Sequence, residues 1–95
     1  MPNRTSQKDF SPLSRYRQHP ARLAEKLYAI RRRFNLTQME MLNIINPNAN
    51  EAQRARISLY EHGLRVPSLL EVLNYAKFAQ VTMEELVDDD AELNF

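Results

Sequence analysis

The residues best suited to chemistry in this chain are arginines, not nucleophiles or metal ligands. The stretch RARISLYEHG, residues 54–63, sets Arg54 and Arg56 beside the short side chains Ala55 and Ser58 and ends at the chain's only glycine. A guanidinium can donate two parallel hydrogen bonds to a phosphate or a guanine edge, and small neighbours permit close approach to a groove floor. Other chemistry finds little support. With no cysteine there is no disulfide, thiol nucleophile or Cys-based zinc site. His19 and His62 lack partners at metal-ligand spacing, so neither a metal nor another cofactor is expected. No Gly-rich loop or Ser–His–acid set is present, and Glu84–Glu85 and Asp88–Asp90 read as a helix-cap acid and a solvated run. An enzyme is not expected.

Charge is distributed unevenly. Residues 1–34 carry nine Lys or Arg against Asp9 and Glu25, whereas residues 35–95 carry four basic residues against ten acidic ones. A basic half beside an acidic half suggests an anionic partner on one side of the molecule, although a solvated polar surface reads equally well on charge alone. The 95 residues make one domain. With one Gly, no Trp and few β-branched residues, an all-α fold is expected. No apolar run is long enough for a membrane span and no signal-peptide pattern opens the chain, so the expected location is cytoplasmic.

The elements that must position the arginines follow from periodicity and punctuation. Residues 1–18 show little periodicity and are expected to form a flexible, disordered basic arm. Leu23, Leu27, Ile30 and Phe34 form one helical stripe, predicting a helix over about 20–34 with Pro20 in its first turn and Asn35 at its end. Thr37 with Glu40 makes a capping box for a helix over 38–45, which Asn46-Pro47 stops. Asn50 with Gln53 opens a third helix over 51–62, closed by Gly63, with Ile57 and Tyr60 facing the core. Ser68 with Glu71 opens a fourth, whose expected buried stripe is Leu69, Val72, Leu73 and Ala76. Thr82 with Glu85 caps a fifth, MEELV, followed by an acidic tail over 89–95 that is expected to fray.

Four features in order, LTQ at 36–38, ISLYEHG at 57–63, PSLLEVLNYA at 67–76 and VTMEEL at 81–86, resemble the lambda-repressor-like, or Cro-type, helix-turn-helix domains. The resemblance covers about residues 20–88 and implies a compact five-helix domain, here 19–88, whose third helix lies in the DNA major groove. It implies base-facing positions at Arg54, Ala55 and Leu59, with Gln53, Arg56 and Ser58 beside them. It also implies phosphate contacts from Thr37 and Gln38 at a helix N-terminus and from Arg65 in the following loop. Read without the family, Arg54, Arg56 and Arg65 are equally ordinary solvated charges and Thr37 is a simple cap. Two departures stand out: Leu42 occupies a position where the family has a small residue, and the turn NPNAN is about five residues longer than usual and lacks a glycine. The longer turn implies a shifted angle for the third helix.

The function implied is a sequence-specific DNA-binding transcriptional regulator, a repressor in the first instance. It would bind double-stranded DNA as a homodimer through the C-terminal helix and tail (Val81, Met83, Leu86, Val87, Leu93, Phe95), with control by abundance, a regulatory protein partner or proteolysis. The alternative is a protein-interaction module on the same fold: an antitoxin, anti-activator or adaptor. Apolar Ala55 and Leu59 on the base-facing side, which cannot donate hydrogen bonds to bases, lend that alternative weight.

Overall fold

The computed structural model describes residues 20–95, and the expected N-terminal arm, residues 1–18, lies outside them. All regular structure in the described part is helical: α1 (Leu23–Arg33), α2 (Gln38–Ile45), a 3-10 turn (Glu51–Gln53), α3 (Ala55–Glu61), α4 (Leu69–Ala79) and α5 (Met83–Val87). The core is drawn from every helix and includes Leu27 and Ile30 of α1, Met41, Leu42 and Ile45 of α2, Ile57 and Tyr60 of α3, Val72, Tyr75 and Ala76 of α4, and Leu86 of α5. Helix α2 packs against α3 and α4, α1 crosses α3, and α5 closes the bundle against α1 and α4.

Helix ends form where local chemistry dictates. Thr37 and Ser68 each accept a hydrogen bond from the backbone N–H of the third helical residue, and the Glu40 and Glu71 carboxylates in turn accept one from the cap N–H. Asn35 takes a left-handed backbone, φ 55°, to end α1, and Gln80 does the same after α4 at φ 59°. After α3, Gly63 at φ 71° lets its own N–H reach the Tyr60 carbonyl (3.2 Å) and that of Leu64 reach Leu59 (2.9 Å), a Schellman closure.

Several expectations are corrected. Helix α1 starts at Leu23, so Pro20 lies before the helix; the open N–H groups of Ala21 and Arg22 are instead taken by the Asp89 carboxylate, both at 3.0 Å. The single helix expected over 51–62 is two pieces joined at Arg54, because the Asn50–Gln53 box closes a tight 3-10 turn before α3 begins. On α4 the buried face is Glu71, Val72, Tyr75, Ala76 and Ala79, while Leu69 is exposed. Glu85 completes no box with Thr82, since its carboxylate accepts from Asn94 N–H at 3.1 Å.

The tail does not fray. Lys26, only 3% exposed, donates from Nζ to the carbonyls of Glu85 (2.7 Å), Asp88 (2.9 Å) and Ala91 (2.8 Å). Arg22 forks onto the Glu92 carboxylate with both bonds at 2.9 Å, and Leu93 packs on the core. This use of the tail bears on the expected dimer face. Leu86 is fully buried and Val81, Met83 and Leu93 pack against the core, which leaves Val87 and Phe95 exposed. No helix among the described residues is long and apolar enough to cross a membrane.

A buried ammonium satisfied by three carbonyls leaves three unpaired acceptors when it is removed. Lys26→Met is expected to cost about 2–4 kcal/mol in urea unfolding and to abolish hydrogen-exchange protection over residues 88–95, with Lys26→Arg intermediate.

Candidate nucleic-acid interface

Helix α3 is held from two sides, and those anchors decide which of its residues remain free. On the inner side Ile57 and Tyr60 are sealed in the core. At its C-terminal end Glu61 receives a two-pronged bond from Arg31 of α1, Nε to Oε2 at 2.6 Å and the second arm to Oε1 at 2.9 Å. Arg31 also donates to the Leu36 carbonyl at 3.0 Å, tying the start of α2 into the same cluster. The Glu61 hydrogen bond, the largest influence on it, raises the Arg31 pKa further.

The second anchor is a chain of polar contacts between α3 and the start of α4. Tyr60 donates its hydroxyl to Glu71 Oε1 (2.8 Å), and the same oxygen accepts from the Ser68 backbone N–H (3.0 Å). Arg56 donates from Nε to the Tyr60 oxygen at 3.1 Å and lies 3.5 Å from Glu71 Oε2. That oxygen is buried without a hydrogen-bond partner, so the nearby guanidinium is what offsets its charge. Burial, then the Glu71 contact, raises the Tyr60 pKa, so its hydroxyl stays a donor through the neutral range.

Against these anchors the nine expected site residues divide. Thr37, Arg54, Ala55 and Arg65 are exposed, whereas Gln38, Gln53, Arg56, Ser58 and Leu59 are partly buried. Arg54 pairs with Glu51 at 2.8 Å, both side chains largely exposed, a contact that little free energy holds in place. Arg65 has no ion-pair partner among the described residues. Arg56 is committed to Tyr60 and Glu71, so the expectation that it flanks a groove as a free cation does not fit its contacts. Gln53 Oε1 accepts from Asn50 N–H at 3.0 Å, and Thr37 is engaged on both sides of its own cap. Ser58 offers its carbonyl at 2.8 Å to Nδ1 of His62, which therefore carries a proton there.

Gln38 and His62 line one cleft of about 550 Å³ with Tyr28, Arg31 and Glu61, so the start of α2 and the end of α3 open onto a common surface. Arg65 lines a separate cleft of about 440 Å³ with Pro20, Val66 and Tyr60. The structure thus brings Gln38 toward the end of α3 but places Arg65 in a different cleft. No group of three or more His, Cys, Asp or Glu suited to a metal occurs among the described residues.

Sequence reasoning missed the inward use of the basic half. Arg22, Lys26 and Arg31 were counted as surface charge, yet Arg22 is spent on Glu92, Lys26 on carbonyls and Arg31 on Glu61. Arg32 lies against Tyr28, donating to its hydroxyl at 3.1 Å, and Arg33 stacks 4.8 Å from the Phe95 ring. A signal was available for Lys26 alone: it sits beside Leu23, Leu27 and Ile30 on the buried stripe, where a charge needs partners.

The buried phenols give a test of these contacts. Tyr75 is fully buried, its hydroxyl has no hydrogen-bond partner, and burial pushes its pKa well above the ordinary value near 10. Both tyrosines have folded pKa values above the unfolded one. Their contribution is therefore fully present below pH ~10 and is lost as pH rises through the folded values. Tyr60→Phe is expected to cost about 1–2 kcal/mol at pH 7, while Tyr75→Phe is neutral or stabilising, because it removes an unpaired buried hydroxyl. Urea titrations at pH 7 and above pH 10 measure both effects, and each variant should soften the alkaline loss.

Comparison with known proteins adds no relative to this geometry: no family model, no curated protein and no solved structure matches the chain.

Proposed function

We propose that this chain is a sequence-specific DNA-binding transcriptional regulator of the lambda-repressor-like type, with the segment 51–62 entering the major groove. The observation that carries the reading is the charge on the outer side of α3 and the loop behind it. Between residues 51 and 70 the carboxylates are Glu61, which Arg31 neutralises, and Glu51, held only in an exposed pair with Arg54, so the cations displayed at the surface are Arg54 and Arg65. The small side chains Ala55 and Ser58 lie on the face turned away from Ile57 and Tyr60, which permits close approach. Gln38, opening α2 and lining one cleft with His62, would make a phosphate contact at the N-terminal end of that helix.

In this arrangement Arg54 reads bases, since its exposed pair with Glu51 is easily exchanged for a guanine edge. Arg65 neutralises a phosphate. Arg56 holds α3 against α4 and reads nothing. A homodimer on a two-fold operator would use what α5 and the tail leave exposed, Val87 and Phe95. The second reading, a protein-interaction module, draws support from the inward pairing of the basic half and from exposed leucines just beyond α3.

Mobility shifts over a salt series, using DNA flanking the gene and a randomised duplex pool, test the first reading. Arg54→Ala is expected to cost about 1–3 kcal/mol and relax one base preference. Arg65→Ala should weaken all sequences alike and lower the salt slope by about one. Equal, weak binding to flanking and random DNA at physiological salt would remove the DNA-binding reading.

A further inference from the structure

The last turn of α1 carries three consecutive arginines, and each is used differently. Arg31 is fully engaged: Nε and Nη2 grip Glu61, and Nη1 donates to the Leu36 carbonyl. Arg33 lies over the Phe95 ring of the tail. Arg32 is exposed and has no carboxylate partner among the described residues. Its Nη1 donates to the Tyr28 hydroxyl at 3.1 Å, and its guanidinium carbon sits 5.8 Å from the centre of the Tyr28 ring. Tyr28 is one turn back on the same helix, so the two side chains meet as neighbours four positions apart. These contacts hold one end of the guanidinium. The Nε–Nη2 edge, which can give two parallel bonds to an anion, meets no acceptor among the described residues.

The surroundings of the pair give this open edge a context. Tyr28 lines the cleft that also contains Gln38, at the start of α2, and His62, just past the end of α3. Through Tyr28, Arg32 therefore stands at the border of the surface proposed above for DNA. The carboxylate in that cleft, Glu61, is neutralised by Arg31. Glu40, on the first turn of α2, is exposed and accepts the Thr37 N–H. A two-pronged cation close to the positive end of α2 suits a phosphodiester oxygen pair, which carries the charge and the planar acceptor geometry that such an edge matches.

We infer that Arg32 grips a backbone phosphate of the bound duplex, with Tyr28 as the residue that positions it. The inference rests on the DNA reading for its ligand and extends the contact surface from α3 and Gln38 onto α1. Tyr28 holds the guanidinium in place before the phosphate arrives, so less side-chain freedom is lost on docking. The contact carries no base information, since phosphates are alike in every sequence. Arg32 adds affinity and fixes orientation, whereas Arg54 supplies the base preference.

Mobility shifts over a salt series, with the full chain on the flanking duplex and the randomised pool, test the assignment. Arg32→Ala is expected to weaken both duplexes about tenfold and to lower the salt slope by about 0.9. Arg32→Lys should restore the slope but only part of the affinity, because an ammonium cannot make the two-pronged grip. Tyr28→Phe keeps every charge, so it should leave the slope unchanged and weaken both duplexes about threefold. Arg33→Ala removes the neighbouring cation over Phe95 and should stay within about twofold. All three positions are exposed, so each variant should keep the urea midpoint. An Arg32→Ala affinity within about twofold of the unmodified chain overturns the proposal. So does an equal loss from Arg33→Ala, which would make the effect one of general charge, or a loss confined to the flanking duplex, which would make Arg32 a base reader. If both duplexes bind alike and Arg32→Ala still weakens them, the phosphate contact stands and the sequence-specific reading falls. If the chain binds neither duplex even at low salt, both fall.

Discussion

The geometry of the candidate interface depends on the two-pronged bond from Arg31 to Glu61. It joins the last turn of α1 to the last residue of α3, and the remaining arm of the guanidinium reaches the Leu36 carbonyl just before α2. The three elements that decide how α3 is displayed therefore meet at one side chain. Both partners are mostly out of water, the Arg31 side chain 15% exposed and that of Glu61 4%. A pair like this gives little net stability compared with an apolar substitute, but losing one member strands the other charge, at about 3–5 kcal/mol. The constraint is thus one of orientation: α3 can shift only by leaving a buried carboxylate behind.

The same logic runs through the rest of the molecule. Lys26 is held by carbonyls at the end of α5, Arg22 by Asp89 and Glu92, and Arg56 by Tyr60 and Glu71. Lys26 and Arg22, like Arg31, lie in the basic first part of the chain and find their partners in the acidic second part. Among the described residues, part of the charge asymmetry is therefore taken up by internal contacts between elements distant in the sequence. What remains outward on the α3 side is small, Arg54 and Arg65, and it adjoins an apolar run.

Local chemistry made much of the fold legible. The caps at Thr37, Asn50 and Ser68, the stop at Asn35, the closing Gly63, and the core positions Ile57 and Tyr60 all follow from side chains acting within one turn of their own backbone. The failures share a cause. The buried face of α4 takes in Glu71, Tyr75 and Ala79 in place of the expected Leu69 and Leu73, and the tail is ordered where the sequence suggests fraying, because each outcome depends on an element distant in sequence. Glu71 faces inward since Tyr60 waits there as a donor, and residues 88–95 are ordered because Lys26 and Arg22 project from α1. Of the nine expected site residues, Thr37, Arg54, Ala55 and Arg65 are exposed, Gln53 makes the capping contact with Asn50 that the sequence suggests, and Arg56 is drawn into contacts with Tyr60 and Glu71 that the sequence could not reveal.

By itself the sequence determined the helical content, most of the helix ends and the identity of most core residues, since these rest on hydrogen bonds and periodicities spanning three or four residues. Only the tertiary structure decided which charges reach solvent. An arginine on a helix surface reads the same whether its partner is water, a phosphate or a carboxylate 30 or 70 residues away. Low dielectric and fixed geometry favour the carboxylate only once packing has brought it within reach.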